Sequence, residues 1–175
     1  MMQSSIRAFL LFFTRRNVLL ASGLLSILAM LGFQWLQLQL GGPMLDMLRG
    51  YQRDQLFDHM LLYGTAGRDW HYVFTLSLDM AFPFIYGALF AGLLGLAAQH
   101  TRFSLAGLLV VPVMLVDMAE NLQLAAMLSG FPELSDATIA RASMTTQIKF
   151  YLIQLLFIAL PVLAVAQWRA RRLKG

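Results

Sequence analysis

Four long, nearly uncharged apolar stretches run through the chain, over residues 17–40, about 72–98, 103–128 and 144–167. About 20 apolar residues in helical form cross a bilayer core, and there every backbone N–H and C=O must be satisfied inside its own segment or a closed barrel. Each stretch meets that length, so the sequence predicts an all-α integral membrane four-helix bundle. Composition agrees: 59% of the 175 residues are hydrophobic and 13% are charged, about half the charged share of an ordinary soluble domain. No repeat, low-complexity tract or long linker interrupts the pattern, and a single transmembrane domain over residues 1–175 is expected. The chain has no cysteine, which excludes disulfides, thiolate nucleophiles and Cys-ligated metals.

The charges give the bundle an expected orientation. Arg7, Arg15 and Arg16 precede the first stretch, His100 and Arg102 lie between the second and third, and Arg169, Arg171, Arg172 and Lys174 follow the fourth. These places hold eight Lys/Arg residues and no acid. The other connections carry Asp46, Asp54, Asp58, Asp69, Glu133 and Asp136 against Arg49, Arg53, Arg68 and Arg141. The positive-inside rule then makes both termini cytoplasmic, in a multi-pass protein of the cell inner membrane. The net charge of +4 is assigned to topology and lipid head groups, and no nucleic-acid partner is expected, since no aromatic interleaving accompanies the basic tail.

The first stretch has the basic start of a signal peptide. Its apolar core exceeds the roughly 7–15 residues of a signal sequence and no small-x-small pattern follows before Gln34, so it is expected to remain as an anchor. Residues 4–14, with Ile6, Phe9, Leu10 and Phe13 at helical spacing, are expected to lie in the interface or to extend the first helix. The first external loop, residues 41–71, opens on Gly-Gly-Pro and carries Leu56, Phe57, Met60 and Leu61 in an amphipathic pattern. A short helix over about 55–63 follows, capped by Asp54, stopped at Gly64 and lying flat as a lid. The second loop, residues 129–142, has a Gly-Phe-Pro turn and a Ser-Asp start for a further short helix. In the second stretch Gly87, Ala91 and Gly95 recur every four residues with Ala88 and Gly92 beside them, a stripe that lets another helix approach closely. Pro83, Pro112 and Pro161 can each kink a helix, and Trp35, Trp70, Tyr72 and Trp168 are expected at the interfaces.

The informative residues are ionisable ones inside the spans. Asp117, Glu120 and Asn121 stand three to four apart on one helical face of the third stretch. Lys149 follows Thr145 and Thr146 by about one turn in the fourth, and Asp79 stands four residues before Pro83 in the second. Each such charge at the bilayer centre costs about 2.5–3.5 kcal/mol on insertion scales. Glu120 lies about 12 Å from the outer end of its helix, Lys149 about 8 Å and Asp79 about 10 Å, so the three share a layer. Arg68, Tyr72 and Thr75 continue the Asp79 face towards the outer surface, with His71 near the mouth. The expected site is a polar pocket in the outer half of the bundle. Three carboxylates against one lysine leave a formal excess of two negative charges, to be balanced by a proton, by Arg68 or Arg49, or by an external cation.

The chemistry this supports is general acid–base work on a lipid-like or isoprenoid molecule. Glu120 is the expected acid/base, with Asp117 and Asp79 as second acid/base groups and Lys149 as counter-ion or electrophile. Asn121 orients, and Arg68, Tyr72, Thr75, Thr145, Thr146 and His71 line the site, with Met80, Met114, Met118 and Met144 as adaptable apolar lining. No cofactor is implied, since no nucleophile elbow, phosphate loop or dinucleotide fingerprint occurs. No metal site is implied either, since His59, His71 and His100 lack ligand spacing. Two other classes remain open. One is a proton- or cation-coupled small transporter, against which stands the lack of ionisable residues in the cytoplasmic half of the helices. The other is an accessory or assembly subunit whose ion pairs lock helix register or hold a homodimer or a membrane-protein partner.

The layout of four helices with cytoplasmic termini, a long first external loop and an acid just before Phe-Pro (Asp79, Phe82, Pro83) is similar to the sterol-isomerase and sigma-2-receptor group of membrane proteins. The likeness covers the layout and about ten residues, and the Asp117, Glu120, Asn121 and Lys149 set departs from it. What the resemblance implies is a lipid-facing pocket that binds or isomerises a hydrophobic molecule.

Overall fold

The computed structural model describes residues 2–99 and 105–172, and no strand occurs among them. Helix α1 spans Met2–Phe13 and α2 spans Arg16–Leu40, followed by a 3-10 turn at Leu45–Met47. Helix α3 covers Arg53–Phe74, runs through a π-helical turn at Thr75–Asp79 and continues as α4, Met80–Ala98. A 3-10 turn at Ala106–Leu109 leads into α5, Val110–Gly130, and α6 covers Asp136–Arg172. Four helical runs are long and apolar enough to cross a membrane, Arg16–Leu40, Arg53–Ala98, Ala106–Gly130 and Asp136–Arg172. Large apolar side chains cover their outer surfaces, Leu20, Leu24, Leu31 and Leu38 on α2 among them. Such surfaces suit lipid, in which exposed leucine carries no hydrophobic penalty.

The four expected spans are present, with longer bounds for three of them. The short helix expected over about 55–63 is the first part of α3, and Gly64 is its stop, with φ 63° and ψ −177°. That conformation favours glycine. Beside the break Arg68 Nη1 donates to the Met60 carbonyl at 2.7 Å. The N-cap is Gln52 rather than Asp54: Gln52 and Gln55 form a reciprocal capping box, with Gln52 N donating to Gln55 Oε1 at 3.1 Å. Leu56, Met60 and Tyr63 are buried while Leu61 faces out, so the inward face is rotated from the expected one.

The short helix expected after the Gly-Phe-Pro turn is the start of α6 itself. Ser135 Oγ accepts from Thr138 N at 3.1 Å, capping the first turn, and the helix then continues to Arg172 without interruption, Pro161 included. At the other end of the chain, α1 is separate from α2, closed where Thr14 donates to the Leu11 carbonyl at 2.8 Å. His100, Arg102, Phe103 and Lys174 lie outside the described residues.

The chain gathers into two compact units. The first comprises Met1–Ser26, Phe84–Met114 and Leu152–Gly175. It carries eight of the chain's thirteen Lys/Arg and none of its acids. Its packing depends on the small-residue stripe of α4. A Cβ on Gly92 would stand 2.3 Å from the Phe13 carbonyl oxygen and 2.6 Å from Leu19, and one on Gly87 2.5 Å from Met114 Sδ. Glycine is therefore needed at 92 because backbone lies against it, whereas the Met114 thioether at Gly87 can swing away.

The second unit comprises Ile27–Pro83 and Leu115–Tyr151 and holds all nine acids of the chain. Its apolar core joins Phe33, Leu36 and Leu40 to Met44, Leu45, Leu56, Met60, Leu124 and Met127. Arg53 ties the start of α3 to the start of α6, with Nε 2.5 Å from Asp136 Oδ1 and Nη2 donating to the Leu134 carbonyl at 2.6 Å.

Gly92→Ala is expected to lower stability by about 1–3 kcal/mol through overpacking. Gly23→Ala, whose Cβ would meet nothing nearer than 4.0 Å, is expected to be neutral or to gain up to about 1 kcal/mol of helix propensity. Thermal unfolding of the two purified variants in one detergent checks the contrast.

Candidate functional site: a buried acid–lysine cluster

The polar residues of the second unit converge from four elements. Helix α6 offers Ser143, Thr146 and Lys149 on one face; α5 offers Asp117, Glu120 and Asn121. The run from α3 through the π turn offers His71, Thr75 and Asp79, and the 3-10 turn between α2 and α3 brings Asp46. Every one of these except Asp46 is buried as a residue, and the Asp46 side chain is 9% exposed, about as little as that of Lys149.

Lys149 is the centre. Its ammonium contacts Glu120 directly, lies 3.4 Å from Asp117 Oδ1 and 4.0 Å from Asp46 Oδ2. Asp79 adds a fourth carboxylate, close enough to feel the charges of Asp46, Lys149, Asp117 and Glu120. On the far side of Asp46, His71 Nε2 stands 3.9 Å from Asp46 Oδ1. The His71 ring meets Tyr63 edge-on at 5.6 Å, and Tyr63 donates to the Pro43 carbonyl at 2.5 Å, which fixes the turn that carries Asp46. The next residues of that connection are tied to α6, since Tyr51 N donates to Ser143 Oγ at 2.9 Å. Burial holds the Tyr51 phenol above its ordinary value, partly offset by a hydrogen bond with Thr146, so Tyr51 stays neutral beside the acids.

The backbone is shaped around the same residues. Pro83 has no N–H, so the carbonyl four residues back, that of Asp79, loses its helical partner. Asn121 Nδ2 replaces it, donating to Asp79 O at 3.0 Å. The π turn sets which side chains accompany Asp79. With i→i+5 bonds it takes up more residues than an α turn, while Thr75 and Asp79, four apart, stay on one face. The face above is shifted back by one position, from Tyr72 to His71.

Of the sequence-derived site residues, the structure brings together Asp79, Asp117, Glu120, Asn121, Lys149, Thr75, Thr146 and His71. It places three elsewhere. Arg68 caps Met60 and lies over the Phe131 ring at 4.8 Å. Tyr72 is turned outward for the reason just given, and Thr145 bonds Gln123 Oε1 at 3.2 Å and the Arg141 carbonyl at 3.0 Å. Arg49 does not balance the acids either: its guanidinium lies 4.6 Å over the Phe150 ring. Asp46 is the residue that sequence reasoning placed on the surface. Its signal was the apolar company it keeps, Pro43-Met44-Leu45-Asp46-Met47-Leu48, a loop too apolar to face water. With Asp46 the count becomes four carboxylates to one lysine, a formal excess of three.

Several buried atoms of the cluster have no hydrogen-bond partner within the protein: Thr75 Oγ1, Asp79 Oδ2, Asn121 Oδ1 and both nitrogens of His71. Native interiors leave few such atoms, each of which calls for an explanation. Among the described residues no group of three or more His, Cys, Asp or Glu is arranged to hold a metal ion. The fold and the cluster define a multi-pass helical membrane protein with a buried acid–lysine centre. Comparison with protein-family models, curated proteins and solved structures finds no match to the chain.

Asn121→Ala should cost about 1–3 kcal/mol, the price of leaving the Asp79 carbonyl bare. Pro83→Ala restores an N–H four residues on, so the double variant should lose less than the sum of the single ones, with a coupling of about 1 kcal/mol. A double-mutant cycle by unfolding in detergent measures that coupling.

Proposed function

We propose that the acid–lysine cluster is a ligand site in the outer half of the bundle, binding a lipid-like or isoprenoid small molecule and performing acid–base chemistry on it. The observation that carries this reading is the set of buried, unpartnered acceptors on Thr75, Asp79 and Asn121. A cluster that served only to lock helix register would be expected to close these atoms on one another. Glu120, in contact with Lys149, is the acid/base of choice, because the lysine can stabilise negative charge developing on a substrate oxygen while the carboxylate moves a proton. Asp46 and His71, 3.9 Å apart, form the side of the cluster by which protons enter.

The transport reading is weaker on one observation. The described spanning segments of the first unit, residues 17–26, 84–98, 106–114 and 152–166, contain no Asp, Glu, Lys, Arg or His. Charged relays through the membrane are built from such residues. The register-lock reading, in an accessory subunit, is supported by the Lys149 ion pairs and opposed by the unpartnered acceptors.

The small molecule should co-purify with the protein extracted in native lipid and be found by mass spectrometry, and Glu120→Gln should deplete it at least several-fold while the protein stays monodisperse. Equal amounts on wild type and Glu120→Gln, or no enriched mass on either, would overturn the reading.

The charge asymmetry supports cytoplasmic termini in the cell inner membrane, with Asp46 and α3 on the outer side. The absence of native cysteine makes this simple to test. Ser135→Cys in intact cells should react with a membrane-impermeant maleimide, and Ser4→Cys only after the membrane is opened.

A further inference from the structure

The unpartnered atoms of the cluster are chemically one-sided. A primary ammonium has three N–H donors, and Lys149 has three carboxylates around it, Glu120, Asp117 and Asp46. The charge of that cation is shared by these three acids. On the Asp79 side remain Asp79 Oδ2, Asn121 Oδ1 and Thr75 Oγ1, on residues 4%, 0% and 0% exposed. The first two can only accept while the carboxylate is ionised, and the threonine hydroxyl can accept as well as donate. Four carboxylates share one ammonium, and buried charge is tolerated when it is paired. What this side of the cluster lacks is positive charge bearing several N–H groups.

We propose that Thr75, Asp79 and Asn121 form a second ammonium seat, which takes the protonated primary amine of a small molecule supplied from outside the chain. The proposal rests on the reading of the cluster as a ligand site and names the ligand's head group. Lys149 is the internal precedent, the same functional group held by carboxylates of the same buried cluster. Asn121 is positioned for the task, because its Nδ2 is committed to the Asp79 carbonyl at 3.0 Å and its oxygen is thereby presented as an acceptor. Thr75 lies four residues before Asp79 on the same buried face. A quaternary ammonium, with no N–H, gains its binding from aromatic faces, and the seat is made of oxygens. It therefore selects a primary amine over a trimethylammonium. The amine can belong to a water-soluble molecule or to an amphiphile, and the two are separated by chain length.

The test uses the full chain in phosphatidylcholine nanodiscs at pH 7, with thermal unfolding and titration calorimetry. Four probes are compared: butylamine, dodecylamine, dodecyltrimethylammonium and dodecanol. Dodecylamine should bind and raise the unfolding temperature, whereas the trimethyl compound and the alcohol should not. Butylamine binding with similar effect would assign the seat to soluble amines, and binding by dodecylamine alone to amphiphiles; both support the seat. Asp79→Asn and Thr75→Val should each weaken dodecylamine about tenfold or more, as loss of a hydrogen bond to a charged group does, while Asp69→Asn, at an exposed acid, should not. Two variants are used so that a folding defect in one leaves the other to decide. Equal binding of dodecylamine and dodecyltrimethylammonium, or undiminished binding by a folded Asp79→Asn or Thr75→Val, overturns the ammonium seat. Dodecanol binding that Glu120→Gln abolishes overturns the seat but leaves the broader ligand-site reading standing. No shift with any probe overturns the seat, and the co-purifying mass then judges the broader reading separately.

Discussion

The second unit is organised around a single positive charge. A lysine taken out of water is tolerated where its charge is paired, and Lys149 is paired with acids from α5 and, at longer range, from the turn before α3. Helix α6 cannot rotate without exposing the ammonium, α5 cannot slide without losing Asp117 or Glu120, and the 41–52 connection must fold inward to deliver Asp46. The apolar core around Leu36, Met44, Leu56 and Met127 supplies the packing, but it would fit many registers. The ion pairs select one.

The backbone follows the same rule of satisfaction. Pro83 and Gly64 each break the helical ladder. At Pro83 the Asp79 carbonyl loses its helical donor and Asn121 takes over, and beside Gly64 the Met60 carbonyl accepts from Arg68. In lipid an uncapped carbonyl has no water to turn to, so the Asn121 bond is a condition for the break at Pro83 rather than an addition to it. Arg68 thus serves the helix break, which explains why it stands apart from the acids despite its place in the sequence.

Much of this was legible in the residues. The four spans follow from length and hydropathy alone, and the convergence of Asp79, Asp117, Glu120, Asn121 and Lys149 follows from their depth along helices of fixed rise. The stop at Gly64 was readable because the residue type carries the conformation. Three things were not. Asp46 lies in a loop, and no periodicity states whether a loop turns inward. The cap moved from Asp54 to Gln52 because a glutamine pair can cap reciprocally, which a preference for short polar caps overlooks. The face of the Asp79 helix was misjudged because α periodicity was carried through a turn that is not α. Tyr72 was expected where His71 stands.

That last difference makes the π turn a phase setter. A helix presents side chains in a fixed angular order, so which of two neighbours looks inward depends on how many residues the intervening turns consume. Between Phe74 and Met80 the chain takes up extra residues, and this advances the register of everything on its N-terminal side by about one position relative to Asp79. The identity of the site is therefore encoded partly as a count. The same residues wound as a continuous α-helix through Thr75–Asp79 would present the Tyr72 phenol in place of the His71 imidazole, with no residue substituted.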